Sequence, residues 1–101
     1  MTKESTSSAR RALRVLKALR GHSLTGLSNK ELAEGLRENA PNITRALQEL
    51  EAEGLATKLD TGRWAHSVAM LQIAHAYTAE VDAMQGRITE MTRRIAAGAM
   101  R

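Results

Sequence analysis

Between Ala40 and Leu55 the chain reads APNITRALQELEAEGL. Four of its side chains, Asn42, Thr44, Arg45 and Gln48, are of the kinds that hydrogen-bond to base edges. Arginine pairs with guanine through two parallel bonds, asparagine and glutamine pair with adenine in the same way, and a threonine hydroxyl serves a base or a phosphate. They stand near the start of a helical repeat in which Ile43, Leu47 and Leu50 recur at the spacing of one buried face. The acids Glu49, Glu51 and Glu53 gather at its other end, so a polyanion would meet the N-terminal half. Two further groups carry positive charge. Lys58 and Arg63 flank the turn-forming run Asp-Thr-Gly, and Arg10, Arg11 and Arg14 stand near the N-terminus.

The case for catalysis is thin. His22, His66 and His75 lie in separate elements without the i, i+4 spacing of a helical metal pair, and no glycine-rich phosphate loop occurs. There is no cysteine, which removes disulfides, thiolate metal sites and cysteine nucleophiles and permits a reducing compartment. Glu31 and Glu34 share a helix face and read as surface acids. No enzyme, metal or cofactor is expected.

Charge is unevenly placed. Residues 1–20 hold six of the fifteen basic side chains and one acid, whereas the remaining eighty-one residues are nearly balanced. A local positive field suits a polyanion touched by one face, although the charges are equally compatible with a solvated helix surface. The opening MTKESTSSARR has no apolar stretch of a secretory signal, and the longest uncharged run, Trp64 to Ala79, is too short and too polar for a membrane span. A soluble, cytoplasmic protein is expected, with no membrane partner.

The positioning elements follow from periodicity and breakers. Residues 1–7 read as a flexible start. From Ser8, Ala9, Ala12, Leu13, Leu16 and Leu19 mark an amphipathic helix closed by Gly21, with Arg10, Arg14 and Lys17 on its other side. Ser28 and Glu31 have capping-box spacing and open a second helix that buries Leu32, Ala33 and Leu36. Pro41 ends that helix's reach and suits the first turn of a third, closed by Gly54. Leu55 to Leu59, the Asp-Thr-Gly turn and Arg63 to Ala65 then form a small hairpin. Three helices and a two-stranded wing make a mainly α, winged helix-turn-helix order over residues 8–66, with the recognition helix at 41–54 and the wing at 56–65.

Residues 67–101 are expected to form a long C-terminal helix. Met70, Ala74, Tyr77, Val81, Met84, Ile88, Met91 and Ile95 recur at alternating spacings of four and three, a heptad seam. Its branched residues at one position favour a parallel two-stranded coiled coil. One winged domain cannot cover a helix of this length, so a homodimer through Ala74, Tyr77, Val81, Met84, Ile88, Met91 and Ile95 is the expected means of burial, with packing on the chain's own helices as the alternative.

SARRALRVLKALRGH, GLSNKELAEGL, ITRALQELEAEGLATK and GRWAHSVAMLQIAHAY together resemble the N-terminal DNA-binding domain of IclR-type bacterial regulators over about Ser7 to Tyr77. The resemblance implies a recognition helix in the major groove of double-stranded DNA, a wing on the backbone or minor groove, and a dimer-supporting linker helix. It maps Ile43, Leu47 and Leu50 to buried positions of the recognition helix, Arg45 to its exposed side, and Gly62, Arg63 and Trp64 to the wing. Two departures stand out. The family's glycine turn and Ser-Thr pair correspond here to Arg37, Pro41 and Asn42, and its ligand-sensing domain is not expected in a chain ending at Arg101, so no small-molecule effector is expected either. A compact bacterial or phage transcription regulator is the resulting expectation, with Asn42, Thr44, Arg45 and Gln48 reading bases, Lys58 and Arg63 in the wing, and Arg10, Arg11 and Arg14 on the DNA backbone. A non-specific architectural DNA binder and a protein-interaction module are the alternatives.

Overall fold

The computed structural model describes residues 7–99. Apart from Ser7, the expected flexible start lies outside the described residues. The elements are α1 (Ser8–Ala18), α2 (Asn29–Leu36), α3 (Ala40–Ala52), β1 (Ala56–Lys58), β2 (Trp64–His66) and α4 (Val68–Ala99). This is a winged helix-turn-helix followed by a long helix, as the periodicity requires.

Each of the first three helices starts on a side chain that accepts an otherwise unpaired amide. Ser7 Oγ accepts from Arg10 N at 3.1 Å, and Asn39 Oδ1 accepts from Asn42 N at 2.8 Å. At α2 the box closes in both directions: Ser28 Oγ accepts from Glu31 N at 3.0 Å, and Glu31 Oε1 accepts from Ser28 N at 2.9 Å. Helix α1 stops at Ala18, before Gly21, which takes a positive φ of 84° just beyond it.

The core is formed by Val15, Leu19, Leu32, Ile43, Ala46, Leu47, Leu50, Ala56 and Trp64. Full burial of an aliphatic side chain such as Leu47 stabilises the fold by about 2 kcal/mol. The buried line of α1 differs from the one its pattern suggests. Val15 is fully buried while Leu13 is 58% exposed, because the line facing the core runs through Ala12, Val15, Leu16 and Leu19, and Leu13 falls on the other side of the helix.

The strands pair antiparallel, with Ala56 opposite His66, Thr57 opposite Ala65 and Lys58 opposite Trp64. Leu27, just before α2, extends this ladder: its N–H and C=O each bond to Trp64 at 2.8 Å. That pairing brings backbone to backbone so closely that Gly26 is required beside it; a Cβ there would sit 2.6 Å from the Trp64 carbonyl oxygen. His66 Nε2 donates to the Leu16 carbonyl at 2.7 Å and ties the second strand to α1.

Ser67 caps α4, accepting from Met70 N at 3.0 Å while donating to the Gly54 carbonyl at 2.6 Å. The chain divides into two compact units, one ending at Leu71 and the other beginning at Gln72. Considered by itself, α4 has 32 residues, none of them buried, and is roughly 48 Å long at 1.5 Å per residue. Among the described residues no helix is long and apolar enough to cross a membrane.

Candidate nucleic-acid interface

Helix α3 is seated by Ile43, Ala46, Leu47 and Leu50, which leaves Thr44, Arg45, Gln48 and Glu49 exposed. Side chains four apart share a line along a helix, so these residues fall into two rows. One row faces the wing. Thr44, Gln48 and Glu51 line a cleft of about 310 Å³ together with Asn29, Lys58, Gly62 and Trp64. The other row faces α1. Asn42, Arg45, Ala46 and Glu49 line a smaller cleft of about 80 Å³ with Ser8 and Arg11.

The side chains in these rows differ in their hydrogen-bond partners. Arg45 Nη1 donates to Asn42 Oδ1 at 3.0 Å, and Asn42 Nδ2 reaches Glu38 Oε1 at 3.4 Å. Thr44 Oγ1 donates to the Ala40 carbonyl at 3.1 Å and accepts from Asn29 Nδ2 at 2.8 Å. That last bond joins the first residue of α2 to the second turn of α3. Asn29 was not among the sequence-derived candidates; its signal is a polar residue immediately after the Ser28 cap. Lys58 lies over Trp64, with Nζ 5.9 Å from the ring centroid, and Trp64 itself is buried as an anchor of the wing.

The basic residues near the N-terminus do not form one open stripe. Arg10 is exposed. By contrast, Arg11 Nε lies 3.2 Å from Glu38 Oε1 with a side chain 14% exposed, and Arg14 Nη1 lies 3.5 Å from Glu38 Oε2. Arg14 Nη2 also donates to the Leu36 carbonyl at 2.9 Å. Glu38 is therefore a hub between α1 and the turn into α3. Burial opposes its charge, but hydrogen bonds from Asn42 and Arg11 and the charges of Arg11 and Arg14 outweigh that and lower its pKa.

Arg63 is similarly engaged. Its Nε donates to the Thr25 carbonyl and its Nη2 to the Gly26 carbonyl, both at 3.0 Å, and Nη2 lies 2.8 Å from Glu31 Oε1. The pKa of Glu31 is lowered, first by the backbone N–H of Ser28 and then, against a desolvation cost, by Arg63. Between α2 and α3 the turn passes through Arg37 at φ 58° and ψ 47°, and Glu38 N bonds back to the Ala33 carbonyl at 2.9 Å. The geometry is one that glycine adopts without strain.

The model of the IclR helix-turn-helix domain matches residues 8–60, more than half of the 101-residue chain. The chain belongs to the IclR helix-turn-helix family. Within that family frame, α2 and α3 are the helix-turn-helix pair. The departure at Arg37 is accommodated in place, by the left-handed geometry a glycine would take.

No curated protein matches the chain. Solved structures similar to it include MepR, described as a transcription regulator of the Staphylococcus aureus multidrug efflux pump MepA. It has 20% identity and a TM-score of 0.54, over 80% of this chain and 61% of that one. A MepR–DNA complex from S. aureus matches with 22% identity and a TM-score of 0.53, over 77% and 59% of the two chains. A MepR mutant from a multidrug resistant S. aureus clinical isolate matches at 17% identity and a TM-score of 0.56, over 93% and 87%. This chain thus spans about six-tenths of the first two, and the likeness is one of fold.

Proposed function

We propose that this IclR-type chain is a sequence-specific, double-stranded DNA-binding transcription regulator acting as a homodimer in the bacterial cytoplasm. The observation that carries the reading is α3 itself, which buries Ile43, Leu47 and Leu50 and presents Thr44, Arg45 and Gln48 on its exposed side. Residues 41–54 would enter the major groove, with Asn42 holding Arg45 for a guanine edge and Gln48 offered to adenine. Lys58 and Arg10 would neutralise phosphates. Arg11, Arg14 and Arg63, each already bonded to a carboxylate, enter the proposal through the positions they fix. Membership of a helix-turn-helix family and a fold shared with a regulator solved on DNA support it.

The test is selection of bound duplexes from a random library by the purified chain near physiological salt. Enrichment of two half-sites at fixed spacing is the expected result. Salt-sensitive binding without enrichment would replace this reading with that of an architectural DNA protein, and recovery of no DNA would replace it with that of a protein-interaction module.

A further inference from the structure

The exposed seam of α4 specifies more than the presence of a second copy. We infer that two copies of α4 pair antiparallel, centred between Val81 and Met84, with Glu80 of each facing Arg87 of the other. The inference rests on the homodimer reading above and names the geometry of its interface.

Two features of the helix carry it. The first is charge. Arg93 and Arg94 are both bonded to Glu90, at 2.8 and 3.3 Å. Glu80 and Arg87 have no carboxylate–guanidinium partner among the described residues, and Arg87 Nη1 rests on Met84 Sδ at 3.3 Å. They lie two turns apart, too far to pair within one helix. Both flank the seam at the same heptad position, next to Val81 and Ile88. In a parallel, in-register pair that position faces the opposite flank of the second helix, so Glu80 would meet Gln85 and Arg87 would meet Thr92. No ion pair forms. In an antiparallel pair the position faces its own kind, and alignment of all eight seam residues sets Glu80 against Arg87 twice by two-fold symmetry. Slipping by one heptad sets Glu80 against Glu80 in one direction; in the other it sets Arg87 against Arg87 and Glu80 against Arg94, which is already bonded to Glu90, and it leaves seam residues at the ends without a partner. The charges therefore fix direction, and burial of all eight seam residues fixes register.

The second feature is volume. Parallel pairing stacks Ala74 on Ala74, leaving a gap, and Tyr77 on Tyr77 in the next layer. Antiparallel pairing sets Ala74 against Met91, Val81 against Met84, Ile88 against Tyr77 and Ile95 against Met70, so each long, flexible or aromatic side chain meets an alanine or a branched one. These layers outweigh the preference for parallel pairing expressed by the branched residues taken by themselves.

The test uses the full chain. Because it contains no cysteine, an Ala97→Cys variant carries a single spin label on the outer side of α4. Antiparallel pairing places the two labels roughly 44 Å apart at 1.5 Å per residue, whereas parallel pairing places them within about 25 Å, given an interhelical distance near 10 Å. A dimer with the long distance supports the inference; a dimer with the short one overturns it and leaves the homodimer standing. A monomer by sedimentation at micromolar concentration would remove both. As a second measurement, Glu80→Arg or Arg87→Glu is expected to weaken the dimer roughly tenfold, two repulsions replacing two attractions. The double reversal is expected to restore it, and failure of that rescue would also overturn the pairing.

Discussion

One oxygen of Glu31 serves two elements: Oε1 accepts from Ser28 N at 2.9 Å and from Arg63 Nη2 at 2.8 Å. The capping box of α2 is thereby also the clasp of the wing. Arg63→Ala leaves the box intact but removes the clasp and the bonds to the Thr25 and Gly26 carbonyls. The expected result is greater opening of the Leu27–Trp64 bridge, with amide exchange at those two residues faster by about tenfold and the core amides of α3 unchanged. Hydrogen exchange read by NMR checks it.

The two acids with lowered pKa values make stability depend on pH in a defined direction. Glu31 and Glu38 hold their charge more readily in the folded chain than in the unfolded one, so their contribution is complete above the unfolded value near 4.5 and is lost as pH falls through the lower folded values. The melting temperature is expected to fall as pH drops below about 4.5, near the unfolded glutamate value. Glu38→Gln is expected to shrink that fall and to cost about 1–2 kcal/mol at pH 7, since the largely buried Arg11 side chain loses its carboxylate. Thermal melts of wild type and variant between pH 3 and 7 give both quantities.

Much of the scaffold was legible because its signals are local. The Ser28–Glu31 spacing, Pro41 and the Asp-Thr-Gly turn each dictate a backbone geometry within a few residues, and the structure realises all three. The arginines were less legible because a guanidinium's partner is set by tertiary packing. Arg11 and Arg14 are twenty-seven and twenty-four positions from Glu38, and Arg63 is thirty-two from Glu31, so a stripe of positive charge conceals which members are already bonded. The same holds for Asn29, whose bond to Thr44 spans fifteen residues. The division of α3 into a wing-facing and an α1-facing row likewise required the neighbours of the helix to be in place.

Arg37 offers a stabilising substitution. A non-glycine residue in left-handed geometry costs about 1 kcal/mol or more, and glycine's greater freedom in the unfolded chain returns part of that. Arg37→Gly is expected to raise stability by about 0.5–1 kcal/mol in urea unfolding, with an unchanged dependence on denaturant. Arg37→Val, branched at Cβ and poorly suited to positive φ, is expected to lower it.

Gly26 behaves in the opposite sense. It combines a φ of 73° with a Cβ position 2.6 Å from the Trp64 carbonyl oxygen, so Gly26→Ala must displace backbone that the Leu27–Trp64 pair holds. A loss of about 2–3 kcal/mol is expected, a strained geometry plus a weakened pair of backbone bonds. At Gly21, φ is also positive but nothing lies within 4 Å of the Cβ position, and Gly21→Ala is expected to cost about 1 kcal/mol. The difference between the two variants in one unfolding series isolates the cost of the close approach.

The two rows of α3 make separable predictions for DNA. Arg45 is steadied by Asn42 at 3.0 Å on the α1 side, whereas Gln48 lines the cleft shared with Lys58 and Trp64 on the wing side. Arg45→Ala is expected to remove discrimination at one base position of each half-site, a loss of about 1–3 kcal/mol, or roughly ten- to hundredfold. Asn42→Ala, which frees Arg45 without deleting it, is expected to produce a smaller loss at the same position. Gln48→Ala is expected to relax a different position, displaced along the groove toward the wing. Lys58→Ala, acting on phosphate, is expected to weaken all sequences alike and to reduce the slope of log affinity against log salt by about one. Competition binding against a panel of single-base variants of the selected site separates these outcomes. If Arg45→Ala and Gln48→Ala relaxed the same position, the two-row reading of the helix would be wrong.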